Sequence, residues 1–426
     1  MLITKYNHNF ILTNIDYKNI QVSNENLINK IKLDVSDDIF FGSVVKKNSK
    51  IYIFYRKNHG FQKTKFDCET NLLVSKDGIS FEVIKKSVIG NNFGSISNNI
   101  CIIDDTETKG FIGLGGRHCE KIVQDKHNEN NCKCKNNNYH SKIESDYQLA
   151  KHPIFYNNNR GTLPFINSNF KHECFMNGVY LLNSNNGINW ELSNNYPIIN
   201  GFDNGMKDKI FGATTFDSQM SLLYNKNECK YYCFCRENSG INARTIRYSS
   251  SLDLKTWNIW QRININQLEI NHEKISIYNG NFFNYPKSNF FCGIVPYCDS
   301  KKTSIIMLTS KNCETWNFEN ILIDNEKSNI YSEFPLHGGL ICSNDEKNFF
   351  LYTAHDKHLL IYSIRKDGFQ CFINKKKLIG KLFSNDLLQF GNYVNINYNC
   401  YSKDSYLKLN WYSSSKNLLY SSEKMN

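Results

Sequence analysis

The sequence predicts an all-β protein: a five-bladed β-propeller with a short C-terminal β-appendage and a long loop insertion in its second blade. Three observations carry that expectation. A short turn pattern recurs along the chain, an alternating or β-branched run precedes the copies, and no convincing long amphipathic helix interrupts them.

The turn pattern is Ser-x-Asp/Asn-x-x-x-aromatic, and it occurs from Ser75 to Phe81, Ser184 to Trp190, Ser251 to Trp257 and Ser310 to Trp316. Asp77, Asn186, Asp253 and Asn312 hold its third position. Ser and Asp or Asn side chains bond the amides of a tight turn, Gly78 and Gly187 tolerate positive φ, and the aromatic ring folds back over the sheet. The runs YLLN, RTIRY and SIIML ahead of three copies read as strands entering the turn.

Successive copies stand 109, 67 and 59 residues apart, and an altered fifth, from Ser363 through Asp367 and Gly368 to Phe369, follows 53 residues later. Units of about 60 residues, each with four strand-like runs, match the requirement of a propeller blade. The first strands of the five units fall at 41–47, 94–103, 218–225, 274–285 and 336–343. The blades are expected at about 38–92, 93–207, 208–268, 269–328 and 329–375, after an N-terminal segment 1–37 and before a C-terminal β-tail 376–426. The second unit is too long. Its excess, about 120–172, is polar and lacks hydrophobic periodicity, so it reads as a loop inserted on one face.

Composition narrows the function classes. The chain has 426 residues, with 51 Lys and Arg against 40 Asp and Glu, a formal charge of +11. The lysines are dispersed and form no arginine-rich stripe or basic helix face, so no nucleic-acid partner is expected. No window approaches 18 uninterrupted apolar residues, and Lys5, Asn7, His8, Asn9 and Asp16 break the first segment. A membrane span and a signal peptide are therefore not expected. The 15 cysteines are an odd number, and several, such as Cys101 and Cys292, sit inside apolar runs where a free thiol acts as a small hydrophobe. Together with the lack of any Asn-x-Ser/Thr acceptor, this points to an intracellular, reducing compartment.

The segments 216–238 and 244–257, then 277–297, 362–372 and the run from Leu378 onward, resemble in order and spacing the five-bladed propeller glycoside hydrolases of families 32 and 43. The resemblance is closer to a group of bacterial family-32-like proteins, and it covers about residues 38–400 without the insertion. It implies a carbohydrate ligand or substrate and glycosidase-like hydrolysis. That chemistry needs two carboxyl groups flanking the scissile bond. In a propeller they converge from the starts of the innermost strands, where Asp217, Asp38 and Glu333 stand as the catalytic candidates. Asp217 also matches the acid of the related group's third-blade motif. Arg56, Arg117, His118, Arg236, Tyr278 and His337 are the candidate sugar-binding side chains.

The chain also departs from that pattern. Ser276 stands where relatives carry a fourth-blade acid, Leu336 or His337 replaces a fifth-blade acid, and Asp104 and Asp105 lie only at the far end of their strand. A noncatalytic propeller that binds glycans or proteins is therefore the alternative. A sialidase-like enzyme, with Arg56, Arg117, Arg236 and Arg244 gripping a carboxylate, is a further reading, but the turn here is one residue shorter than the sialidase repeat. No cofactor or metal is expected. Cys132 and Cys134, with His127, His140, Cys119 and His118, lack a second Cys pair at finger-like separation. Gly113, Gly115 and Gly116 follow or lie within a strand and open no helix, so they form no phosphate loop.

Overall fold

The computed structural model describes residues within 3–57, 70–89, 100–117, 178–200, 219–268, 276–365, 371–384 and 406–425, with short breaks inside these ranges. These residues form strands and turns, with no helix among them. None therefore offers a helix long and apolar enough to cross a membrane. The chain divides into two compact units, Met1–Leu27 with Ile364–Asn426, and Ile28–Ser363.

The first unit begins with β1 (Ile3–Lys5), β2 (His8–Phe10), β3 (Leu12–Ile15) and β4 (Ile20–Ser23). The second begins with β5 (Ile28–Asp34), followed by the antiparallel array β6 (Ile39–Lys47), β7 (Lys50–Lys57), β8 (Thr70–Ser75) and β9 (Glu82–Ile89). The next sheet holds β10 (Cys101–Asp104), β11 (Phe111–Arg117), β12 (Gly178–Ser184) and β13 (Glu191–Leu192), with β14 (Ile199–Asn200) also on β12. Strands β11 and β12 pair directly. The predicted insertion falls between them, outside the described residues.

The third sheet runs β15 (Ser221–Asn225), β16 (Lys230–Asn238), β17 (Arg244–Ser251) and β18 (Gln261–Arg262). In the fourth, β19 (Asn264–Asn266) lies parallel to β24 (Thr315–Asp324), while β20 (Ser276–Ile277) and β21 (Asn281–Asn284) both pair with β22 (Phe291–Cys298), which pairs with β23 (Thr303–Ser310). The last array is β25 (Phe334–Cys342), β26 (Asn348–His355), β27 (His358–Arg365) and, on its edge, β5. It joins the β6–β9 array through one parallel residue pair, His337 opposite Ser43, so the two form a single eight-stranded sheet. Each predicted first strand overlaps an observed one, but the fourth is split into β20 and β21 and the second begins only at Cys101.

The strands that open the five arrays contact one another in a closed order: β6 with β10, β10 with β15, β15 with β21, β21 with β25, and β25 with β6. The core lies between successive sheets. Val45, Phe54, Ile102 and Tyr180 fill the first gap, Cys101, Leu181, Leu222 and Trp257 the second, and Phe234, Phe282 and Trp316 the third. Tyr285 meets Phe349 edge-on between the fourth and fifth arrays, with ring centroids 5.9 Å apart. Val44, Ile53, Leu336 and Tyr352 then pack the fifth array against the first. A sheet covered on both faces needs apolar residues on both sides of each strand, which is why all eight residues of β23 are buried and its middle, Ile305 to Leu308, is apolar without alternation.

The recurring turns join the third strand of an array to its fourth. In each, the Asp or Asn Oδ1 accepts two consecutive backbone amides: from Ile79 and Ser80 at 2.8 and 2.7 Å, Ile188 and Asn189 at 2.9 Å, Lys255 and Thr256 at 2.8 and 2.7 Å, and Glu314 and Thr315 at 3.1 and 3.0 Å. Those amide bonds hold the Asp77 carboxyl down at about 2. The fourth position has φ of 84° at Gly78, 73° at Gly187, 60° at Leu254 and 65° at Cys313. Two copies thus adopt the left-handed conformation without glycine, because Leu254 and Cys313 bury their side chains in the gaps between sheets. Asp367 and Gly368 of the fifth copy lie outside the described residues.

Buried Cys101, Cys233, Cys292 and Cys313 are free thiols, and desolvation raises each above the ordinary thiol range. They pack as apolar groups. In the first unit, β28 (Cys371–Asn374) pairs with β4, and β29 (Leu382–Ser384) with β3. A hairpin of β30 (Asn410–Tyr412) and β31 (Leu418–Ser421) follows.

Candidate functional site

Of the predicted catalytic acids, Glu333 is the one that falls among the described residues. Glu333 immediately precedes β25 and is fully buried. Its Oε1 accepts the Thr353 hydroxyl and its Oε2 accepts the Tyr362 hydroxyl at 3.0 Å. Thr353 belongs to β26 and Tyr362 to β27, so the carboxylate is held by side chains of the second and third strands of its own array. Burial, followed by the neighbouring Glu333 charge, pushes the Tyr362 phenol up, which keeps it a proton donor to that carboxylate.

Next to Glu333, the Phe334 ring meets Phe41 of β6 edge-on at 5.6 Å, and the Arg56 guanidinium stands 5.9 Å from the Phe41 ring centroid. Arg56 is half-buried near the end of β7, opposite Thr70. Arg236 is buried in β16 opposite Ile246, and Arg117 ends β11 opposite Gly178. Each of the three therefore stands near the end of the second strand of its array. Asp217, Asp38, His118 and Tyr278 lie outside the described residues.

Deeper along the opening strands is a buried polar group that the sequence reading found only in His337. Gly42 donates its amide to Gln219 Oε1 at 3.4 Å, and Gln219 Nε2 donates to the Gly42 carbonyl, which ties β6 to the residues entering β15. Ser43 Oγ donates to the Ile100 carbonyl at 3.1 Å and accepts the Ile102 amide at 2.9 Å, so it bridges to β10. Ser221 Oγ donates to the Phe282 carbonyl at 3.1 Å, accepts the Phe282 amide at 2.9 Å, and lies 3.0 Å from His337 Nδ1. Burial alone pushes His337 down to about 3, so its imidazole is neutral at pH 7. The available signal was a small polar residue interrupting an apolar run, Ser43 before Val44 or Ser221 before Leu222. Nothing local says which strand such a hydroxyl will face.

Chemically, the described part of the site supplies a buried carboxylate fixed by two hydroxyls, a cation over an aromatic ring, and a neutral buried imidazole. No group of three or more His, Cys, Asp or Glu side chains suited to a metal occurs among the described residues.

No family model matches the chain, and no curated protein matches it. Solved structures do. The chain is similar to a glycosyl hydrolase from Bacteroides ovatus, at 14% identity and TM-score 0.44, covering 80% of this chain and 91% of that one. It is similar to an N-acetylgalactosamine deacetylase from F. plautii in complex with blood group B trisaccharide, at 10% identity and TM-score 0.46, covering 79% and 92%. It is also similar to a thermostable family-43 glycoside hydrolase, at 9% identity and TM-score 0.45, covering 84% and 96%. Scores of this size assign no activity to the chain.

Proposed function

We propose that the protein is a carbohydrate-active five-bladed propeller, a glycoside hydrolase that uses paired carboxylates at the mouth formed by its opening strands. The carrying observation is the closed order of contacts from β6 through β10, β15, β21 and β25 back to β6. Such a cycle gathers residues next to strand starts that are far apart in sequence. Asp38 directly precedes β6, Glu333 directly precedes β25, and Asp217 lies four residues before β15. Asp217 and Asp38 form the acting pair, one as proton donor and the other as base or nucleophile, with Glu333 as the third acid. Arg56, Arg117, His118, Arg236 and Tyr278 surround the sugar, and the buried His337 stands behind them without touching it. The resemblance in order and spacing across residues 38–400 supports the same chemistry.

The deciding experiment assays a panel of aryl glycosides with the wild type, Asp217→Asn and Asp38→Asn. The expected result is loss of kcat by at least about 100-fold in each variant, with the fold retained. Equal rates in wild type and Asp217→Asn would remove that residue from the mechanism.

A second reading, a noncatalytic propeller that binds glycans or proteins, is favoured by the bonds of Glu333 to Thr353 and Tyr362, which give this acid a structural task. Saturable glycan binding with no turnover of any substrate in the panel would select it.

A further inference from the structure

The buried polar group at the opening strands is incomplete as a hydrogen-bond network. Ser221 has one hydroxyl proton, and the Phe282 carbonyl, which can only accept, takes it. His337 Nδ1 must then be the donor to Ser221 Oγ, which leaves Nε2 unprotonated with its lone pair exposed to the site. That atom is buried and has no hydrogen-bond partner among the described residues, and the same holds for both Nδ2 and Oδ1 of Asn281. The two side chains are 1% and 0% exposed.

The main chain at Asn281 and the His337 imidazole meet at one hydroxyl. The carbonyl carbon of Asn281 is bonded to the Phe282 nitrogen, and that nitrogen donates at 2.9 Å to the same Ser221 oxygen that holds His337. Strand β25 is pressed against β6 at this level: a Cβ on Gly338, next to His337, would lie 1.8 Å from the Val44 carbonyl oxygen. Both side chains are shut off from bulk water. A buried amide and a buried imidazole nitrogen left without partners cost more than native cores ordinarily tolerate, and such groups are satisfied by internal water.

We propose that His337 and Asn281 form an internal binding site for ordered water. The water oxygen accepts a proton of Asn281 Nδ2, and one of its O–H groups donates to His337 Nε2. Its second O–H, or that of a neighbouring water, is available to Asn281 Oδ1. The site links β21 to β25 through solvent, next to the direct bonds that Ser221 makes to both, and it does not depend on any glycan chemistry.

The test is a crystal structure of the full chain at better than about 2 Å together with a double-mutant cycle on unfolding, using His337→Phe, Asn281→Leu and the pair. The expected density is a water within about 2.7–3.2 Å of both His337 Nε2 and an Asn281 side-chain atom. No density there overturns the proposal, as does an anomalous scatterer identified as a metal ion bonded to Nε2. In the cycle, a shared water makes the effect of the pair on the unfolding equilibrium constant differ by more than about 3-fold from the product of the single effects, and a smaller difference refutes it. If the variants fail to fold, the wild-type density decides alone.

Discussion

Tyr352 donates its hydroxyl to the main-chain carbonyl of Gly78 at 2.9 Å, across 274 residues of sequence. The donor lies on β26 and the acceptor in the turn that joins β8 to β9, so the bond clamps the last array of the unit onto the first. The Phe81 ring, which closes the same turn, meets Tyr352 edge-on at 5.9 Å. Tyr352→Phe keeps the ring and strands the Gly78 carbonyl. Urea unfolding should show about 1–2 kcal/mol lost with an unchanged m-value. The same burial raises the Tyr352 phenol above its ordinary range, so stability present below pH 10 should fall as pH rises past the unfolded tyrosine value. In Tyr352→Phe that decline should be shallower.

Two glycines at positive φ should respond differently to alanine. Gly338, at φ 95°, would bring its new Cβ to 1.8 Å from the Val44 carbonyl oxygen, and backbone held by sheet pairing cannot yield. Gly78, at φ 84°, would press a Cβ 2.9 and 3.0 Å from the Phe350 and Ile51 side chains, which can rotate. Thermal unfolding should therefore rank Gly338→Ala, at more than about 3 kcal/mol, above Gly78→Ala, at about 1–3 kcal/mol. The reverse order would mean that the seam between β25 and β6 yields enough to accept a Cβ at Gly338.

His337 sets an acid limit. Its folded-state value of about 3 lies below the ordinary imidazole value of 6.5, so above that higher value both states are neutral and the residue is silent. As pH falls from 6.5 towards 3, the unfolded chain takes up a proton that the folded chain refuses, and stability drops by at most about 1.4 kcal/mol per pH unit. A plot of urea midpoint against pH should be less steep in that window for His337→Gln than for wild type. Identical slopes would show that the imidazole is not buried neutral.

Glu333→Gln separates structural from catalytic work. The carboxylate accepts from both Thr353 and Tyr362, and an amide offers only one acceptor oxygen, so one of the two hydroxyls no longer has a carboxylate oxygen to donate to. A loss of about 1–3 kcal/mol in unfolding free energy is expected. Tyr362→Phe should cost a similar amount without altering any turnover that Asp217→Asn abolishes.

The local structure was legible because its hydrogen bonds are local. Each turn from Ser75, Ser184, Ser251 and Ser310 is closed by an Asp or Asn side chain reaching amides two and three residues on, so spacing within a few residues specifies it. The alternating or β-branched runs before three of those turns likewise declare strands entering them. Other features have no local period to betray them. Only the tertiary structure put β5 on the edge of β27, made Leu254 and Cys313 adopt a glycine-like conformation, and turned the Glu333 carboxylate towards Thr353 and Tyr362. The same is true of the pairing of His337 with Ser43 and of Gln219 with Gly42, 177 residues away. Such contacts depend on how successive sheets close on one another, and that closure arises from apolar area removed from water between arrays, a non-directional force that leaves no residue-by-residue signature.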